Sequence, residues 1–310
     1  MTEILVVKMG ALGDFVQALG PFAAIRHHHG DDRITLLTTG PFADFATASG
    51  AFDRVWTEER AGWPRAGAWL GLRRRLRGGG FRRVYDLQTS DRSSVLFRLF
   101  WPGPYPEWSG IAKGCSHPHA NPNRDFMHTI ERQAEQLSMA GVGPVPAPDL
   151  AWVDADVERF GLSRPYGLLV PGGAAHRPAK RWPEERFGAV AAWLADKGVL
   201  PVVVGAAGEA GRQEAILEAC PGARGLAGET SLLDLAGLAL GAALAVGNDS
   251  GPMHVAAAAG CPTVVLYSAE SDPALCAQRG RSVKILRRDR LADLGTEEVT
   301  GALEGSLTGP

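Results

Sequence analysis

Two α/β domains, each built on a parallel sheet, are what this 310-residue sequence predicts. Three observations lead there. Short β-rich apolar runs alternate with helix-length segments along most of the chain. The alternation lapses into a Pro- and Gly-rich stretch, "GVGPVPAPDL" (141–150), and then restarts. The chain is also long enough to give each half its own core. Strands alternating with helices of this length are joined by right-handed crossovers, so they run parallel.

In order, "EILVVK" (3–8) is the first strand, and "GALGDFVQALGPFAAIR" is a glycine turn leading into a helix. "RITLLTT" (33–39), "RVW" (54–56) and "RVYDLQ" (83–88) are further strands, separated by helical segments such as 65–77 and 91–99. From 101 to 124 the pattern breaks into Pro, Gly, His and Asn, and a loop is expected. A helix over 125–140 ends at Gly141. After the linker come "YGLLVPGG", helix 184–196, "LPVVVGA", helix 208–219, "ARGLAG", helix 231–239, "ALAVGND", helix 252–259 and "PTVVLY". The expected domains are 1–153 and 154–310, two Rossmann-like halves facing a cleft, with the C-terminal tail returning to the first.

Composition narrows the function classes. With 45% hydrophobic and 21% charged residues, the chain is an ordinary globular protein. A formal net charge of -2 argues against a general nucleic-acid binder, which needs a basic excess. Cys115, Cys220, Cys261 and Cys276 form no C-x-x-C pair, so neither a zinc site nor a disulfide framework is indicated, and a cytoplasmic location is expected. No secretory signal or bilayer-spanning run is visible, so any membrane contact is expected to be peripheral.

The chemistry is concentrated at strand ends. Asp249, Ser250, Gly251 and His254 follow the run "ALAVGND". In open parallel sheets ligands bind there, because the next helix begins there and points free N–H groups outward. "KMGALGD" (8–14) lacks the G-x-G-x-x-G spacing of a dinucleotide loop, and no Walker A lysine is present.

Four segments, in this order, carry a resemblance: "KMGALGD", "DLQTSDRSS", "PGGAAHRPAKRWPEERF" and "GNDSGPMHVAAAAGCPTVVLY". Together they resemble glycosyltransferase family 9, which contains the ADP-heptose:lipopolysaccharide heptosyltransferases, and the likeness runs over about 1–290. It implies the GT-B architecture, with the sugar-nucleotide donor on the C-terminal domain and the acceptor on the N-terminal one. It also implies inverting transfer without a metal, and the sequence shows no D-x-D motif. No cofactor is expected. The implied partners are a nucleotide-sugar donor, ADP-heptose by the family's example, and a glycan or glycolipid acceptor on the cytoplasmic face of the inner membrane.

Matched position by position, the resemblance makes Asp14 the base that takes the acceptor proton; read from the residues alone, Asp14 is first a helix N-cap, and the family position reverses that order. Gly13, Asp91 and Arg92 fall on the acceptor side. Lys180 matches the lysine that contacts the donor phosphates, against the alternative of a solvated surface lysine. Ser250 and Gly251 open a helix whose N–H groups can take the diphosphate. Asp249 bonds a donor hydroxyl or caps that helix, and His254 reaches the phosphates or serves as a structural histidine. Glu209 matches an acidic residue on the ribose, or is an exposed first-turn glutamate. Gly172 and Gly173 present backbone donors, or are simply loop glycines.

Two departures from the family pattern are "SAESDP" (268–273) after the last of these strands, with Ser268 and Glu270, and the His/Pro/Asn-rich segment 101–124. The run "LRRRLRGGGFRR" (72–83) is read as a solvated helix face or as an attraction for an anionic lipid surface. "HHH" (27–29) sits at a helix C-terminus, where partial negative charge favours it, and metal binding is rejected. The alternatives to a glycosyltransferase are a catalytically silent sugar-nucleotide-binding or scaffold protein of the same fold, and a sugar-nucleotide epimerase using His117, His119 and His128.

Overall fold

The computed structural model describes residues 1–58, 66–174 and 176–307. Contacts divide the chain into two compact units, Met1–Ala147 and Pro148–Pro310, so the division falls inside "GVGPVPAPDL". No helix among the described residues is long and apolar enough to cross a membrane.

The first unit runs β1 (Glu3–Val7), α1 (Leu12–Val16), α2 (Leu19–His29), β2 (Arg33–Thr38), α3 (Ala43–Ala48), β3 (Arg54–Thr57), α4 (Ala66–Gly78), β4 (Arg83–Asp86), α5 (Asp91–Arg98), β5 (Glu107–Gly110), β6 (His117–Pro118) and α6 (Thr129–Met139). Its strands pair in parallel in the order β3-β2-β1-β4-β5-β6. Ile4, Leu5, Val6 and Val7 of β1 are all buried, as expected of a strand covered on both faces. One cluster gathers Leu5, Val7, Leu72, Leu76, Val84, Leu96 and Trp108. A separate phenylalanine group joins α1, α2 and α3, with Phe15 stacked on Phe42 at 4.7 Å and edge-on to Phe22 at 5.3 Å.

The second unit runs β7 (Tyr166–Val170), α7 (Glu184–Asp196), β8 (Leu200–Val203), α8 (Ala210–Ala219), β9 (Arg224–Gly225), α9 (Leu232–Gly241), β10 (Leu244–Asn248), α10 (Gly251–Ala258), β11 (Thr263–Tyr267), α11 (Pro273–Cys276), β12 (Val283–Arg287) and α12 (Thr296–Leu307). Its sheet order is β12-β11-β10-β7-β8-β9, again all parallel. Counted from its own first strand, this is the same 3-2-1-4-5-6 order as the first sheet, the doubly wound Rossmann arrangement. In each sheet the order reverses between strands one and four. Those switch points are β1/β4 and β7/β10.

Two expectations are corrected. The segment 101–124 is not all loop: β5 and β6 extend the first sheet from within it. "EWSG" hides a strand because Trp108 is its only large apolar residue, and that side chain is fully buried. The C-terminal tail belongs to the second unit, where Leu291, Leu294, Val299 and Leu303 join the core of Leu169, Trp182, Phe187 and Leu266. Gly260 has φ +77°, the left-handed position that ends α10 and turns the chain into β11.

Candidate functional site

The candidate residues collect at the switch point of each sheet. In the second unit, β10 ends at Asn248, whose side chain is fully buried. Its Nδ2 donates to the carbonyls of Pro171 (2.8 Å) and Gly172 (3.3 Å), and its Oδ1 accepts from the Trp182 N–H (2.9 Å). Asn248 therefore ties the loop after β7, and the "KRWP" block, to the end of β10. The indole of Trp182 is buried and donates to the Leu294 carbonyl at 3.0 Å, which anchors that block from the other side.

This anchoring delivers Lys180 to Asp249. The ammonium lies 2.5 Å from Asp249 Oδ2, with the two side chains 12% and 7% exposed, so Lys180 is not a solvated surface lysine. Gln278 Nε2 donates to the other carboxylate oxygen at 3.2 Å, and Gln278 Oε1 accepts from the Tyr267 hydroxyl at 2.9 Å. Burial pushes the Asp249 carboxyl up, but Lys180, Ser271 and Tyr267 outweigh it and hold it below the usual carboxylate range. Burial and then the Asp249 charge push the Tyr267 phenol up.

Asp249 is not the helix cap. Ser250 occupies that position, makes no side-chain capping bond, and has a buried Oγ without a partner among the described residues. Gly251 and Pro252 form the half-buried first turn of α10. His254 lies buried one turn in and is engaged by a neighbour.

Glu209 and the two loop glycines form one unit. Glu209 Oε1 accepts from the Gly173 N–H and Oε2 from the Ala206 N–H, each at 3.0 Å. An added Cβ at Gly172 would lie 2.0 Å from Glu209 Oε1 and would push that carboxylate off the Gly173 and Ala206 N–H groups. Glu209 does stand in a first helical turn, Ala207–Glu209, where its carboxylate accepts from the Ala206 N–H, but it is half-buried rather than exposed. Arg181 donates to the Gly173 carbonyl at 3.0 Å and closes the same loop.

In the first unit, Asp14 is the third residue of α1 and is half-buried. The N-cap position belongs to Ala11, so the capping alternative for Asp14 is removed. Among the described residues Asp14 makes no side-chain hydrogen bond, and its charge acts on Lys8 and Arg132. Gly13 precedes it, half-buried, with its carbonyl accepting from the Gln17 N–H at 2.9 Å.

Sequence reasoning missed Lys8, Asp86 and Arg132. Lys8 is 3% exposed and donates to the Leu87 carbonyl at 3.0 Å, linking β1 to the end of β4. Burial lowers its pKa; Asp14 opposes this, Arg132 adds to it and Asp86 opposes it. Asp86 Oδ1 accepts from the Gln88 and Thr89 N–H groups at 3.1 and 3.0 Å. Burial raises the Asp86 carboxyl to about 6 against those bonds, Ser93 and Lys8. The available signal was a charged residue closing an apolar run, present in both "EILVVK" and "RVYD".

Asp91 and Arg92 are exposed at the start of α5, behind the capping box of Ser90 and Ser93. Arg92 lines a cavity of about 270 Å³ with Met9, Trp69, Leu72, Gln88 and Leu96, its guanidinium 6.0 Å from the Trp69 ring centroid. Asp14 is not among the residues lining that cavity.

Known proteins resemble this chain in sequence and in fold. The chain is 43% identical over 121 residues to lipopolysaccharide heptosyltransferase 2 of Escherichia coli (strain K12), a stretch covering 36% of this chain and 34% of that one. The chain thus spans about a third of the length of the curated relatives it matches. The crystal structure of a family 9 glycosyl transferase from Veillonella parvula superposes with a TM-score of 0.85 at 20% identity, covering 99% of this chain and 97% of that one. An E. coli heptosyltransferase in complex with ADP superposes with a TM-score of 0.79 at 22% identity, covering 98% and 100%. These likenesses establish the GT-B fold class. The model of glycosyltransferase family 9 (heptosyltransferase) matches residues 69–297, most of the chain's 310, and the chain belongs to that family.

Proposed function

We propose that this protein is an inverting, metal-independent glycosyltransferase. It moves a heptosyl group from an ADP-linked donor bound to the second unit onto a lipopolysaccharide-type or other surface-glycan acceptor bound to the first. The observation that carries the reading is the Lys180–Asp249 pair at the β7/β10 switch point, beside the N-terminus of α10. Members of the family share this fold, and one E. coli heptosyltransferase of the same fold is bound to ADP.

The reaction is a single displacement. Asp14 takes the proton of the acceptor hydroxyl as its oxygen bonds to the anomeric carbon. The bond from that carbon to the β-phosphate oxygen breaks, and the electron pair leaves on ADP. Lys180 and the free N–H groups of Gly251 and its neighbours meet the charge that grows on the diphosphate, a task a divalent ion performs elsewhere. Asp249 holds Lys180 in place and offers its carboxylate to a donor sugar hydroxyl. Glu209, already holding the Gly173 and Ala206 N–H groups, has lone pairs left for the ribose hydroxyls. Gly13, Asp91 and Arg92 serve the acceptor side, Arg92 at the mouth of the 270 Å³ cavity. A glycolipid acceptor brings the enzyme into peripheral contact with the cytoplasmic face of the inner membrane.

Calorimetric titration with ADP and ADP-heptose in EDTA, followed by NMR of the transferred anomeric centre, tests the proposal. Micromolar binding that survives EDTA, with inversion in the product, supports it. Binding that requires added Mg²⁺, or retention of configuration, defeats it.

A further inference from the structure

The arginine run on α4 is more than a solvated face. Residues 66–107 contain eight arginines against three acids, Asp86, Asp91 and Glu107, with Arg83 paired to Glu107 at 2.5 Å, in a chain whose net charge is -2. Of those acids Asp86 is fully buried, so this part of the surface is strongly positive. Arg73 donates to the Trp101 carbonyl, and Arg77 donates to the carbonyls of Phe100, Trp101 and Gly103. These bonds clamp the turn after α5 against α4 without neutralising either guanidinium. Among the described residues, none of Arg73, Arg74, Arg75 or Arg77 is paired with a carboxylate.

The clamped turn presents its indole to solvent. Trp101 is 68% exposed and Tyr105 44%, while Leu70, one helical turn before Arg73 and Arg74, is 62% exposed. Leu72 and Leu76 bury the opposite face of α4 in the core. An exposed Trp, Tyr and Leu set among arginines that no carboxylate neutralises gains at a bilayer interface. There the aromatic rings sit at headgroup depth, and each cation is drawn to anionic lipid.

We propose that α4 and the 100–105 turn form the face that docks on an anionic bilayer, with Trp101 and Leu70 entering the interface and Arg74, on the Leu70 side of the helix, on the headgroups. Arg75 is turned away, its guanidinium 4.2 Å from the Trp56 ring centroid. Charge complementarity selects this occupant. The proposal deepens the peripheral contact suggested above by assigning it to one surface, and it does not depend on the sugar transferred.

The test is flotation of the full chain with vesicles of 30% phosphatidylglycerol in phosphatidylcholine, beside pure phosphatidylcholine vesicles. Binding is expected only to the anionic vesicles and is expected to weaken with salt. R74E and W101A should each lower the partition coefficient about tenfold or more. Thermal melts and ADP affinity of both variants should stay at wild-type values. No flotation of wild-type protein at low salt, or flotation indifferent to both variants, overturns the assignment. Retention of an RNA oligonucleotide through the same arginines without vesicle binding also overturns it, in favour of a nucleic-acid patch. Loss of ADP binding in the wild type would instead count against the glycosyltransferase reading alone.

Discussion

The two sheets share one strand order, yet their fourth strands end in carboxylates under opposite electrostatic regimes. At the end of β4, Asp86 is fully buried and held by backbone N–H groups, and its carboxyl is raised to about 6. The nearby ammonium of Lys8 spends its hydrogen bond on the Leu87 carbonyl. Just past β10, Asp249 is also buried, but the Lys180 ammonium sits 2.5 Å away and holds its carboxyl below the usual range. Burial is common to both. What differs is whether a cation reaches the carboxylate itself. A topological switch point supplies a place for chemistry, and a loop residue supplied from elsewhere in the chain decides its charge.

If the first unit carries the base, the largest effect is expected at Asp14. Asp14→Asn should lower kcat by about 10²–10⁴-fold, the range general-base catalysis supplies, with donor Kd unchanged. Since Ala11 holds the cap position, a stability change cannot explain such a loss through capping. Near-wild-type kcat in a folded variant would remove the base from the first unit. If the second unit carries the donor, Lys180→Ala should weaken ADP binding by about 1.5–3 kcal/mol, that of a lost charge-assisted bond. Calorimetry in EDTA reads this directly, and an unchanged Kd would make the Lys180–Asp249 pair merely structural.

Much of this contrast was legible beforehand. Lys180 and Asp249, its second-unit half, stand in the segments that carry the family resemblance, and the strand–helix alternation gave the parallel sheets. Lys8 and Asp86 were not legible, because a polar residue at a strand end looks the same in sequence whether its side chain turns inward or out. Asn248 was hidden for a related reason: its three hydrogen bonds go to Pro171, Gly172 and Trp182, far away in the chain. Strands β5 and β6, at one end of the first sheet, escaped because they are short and poor in β-branched residues. The arginine run was visible from the start, but not that part of it clamps Trp101.

The opposite shifts of the two carboxyls predict opposite pH signatures in stability. Asp86 is raised on folding, so its contribution is full below pH 4 and is lost as pH rises through about 6. Asp249 is lowered, so its contribution is present above the ordinary carboxylate range and is lost as pH falls through its depressed value. Urea midpoints between pH 3 and 8 should show Asp86→Asn abolishing a decline on the order of 2 kcal/mol between pH 4 and 6. Lys180→Ala should abolish the loss on the acid side. A pH profile unchanged in both variants would mean the two switch points are electrostatically alike.

The smallest effect is expected at Glu209, and it decides whether the second unit reads the ribose. Glu209 already holds the Gly173 and Ala206 N–H groups, so a substitution disturbs the loop whatever the nucleotide does. A double comparison separates the two roles. Glu209→Gln keeps one acceptor for those N–H groups and loses the carboxylate, so wild type and variant are each titrated with ADP and 2′-deoxy-ADP. If Glu209 accepts the ribose 2′-hydroxyl, the deoxy nucleotide should bind wild type about threefold to tenfold more weakly than ADP, the worth of one hydrogen bond. The variant should bind both alike, because the partner of that hydroxyl has gone. Should the deoxy penalty persist undiminished in Glu209→Gln, the carboxylate only shapes the loop, and another residue reads the sugar.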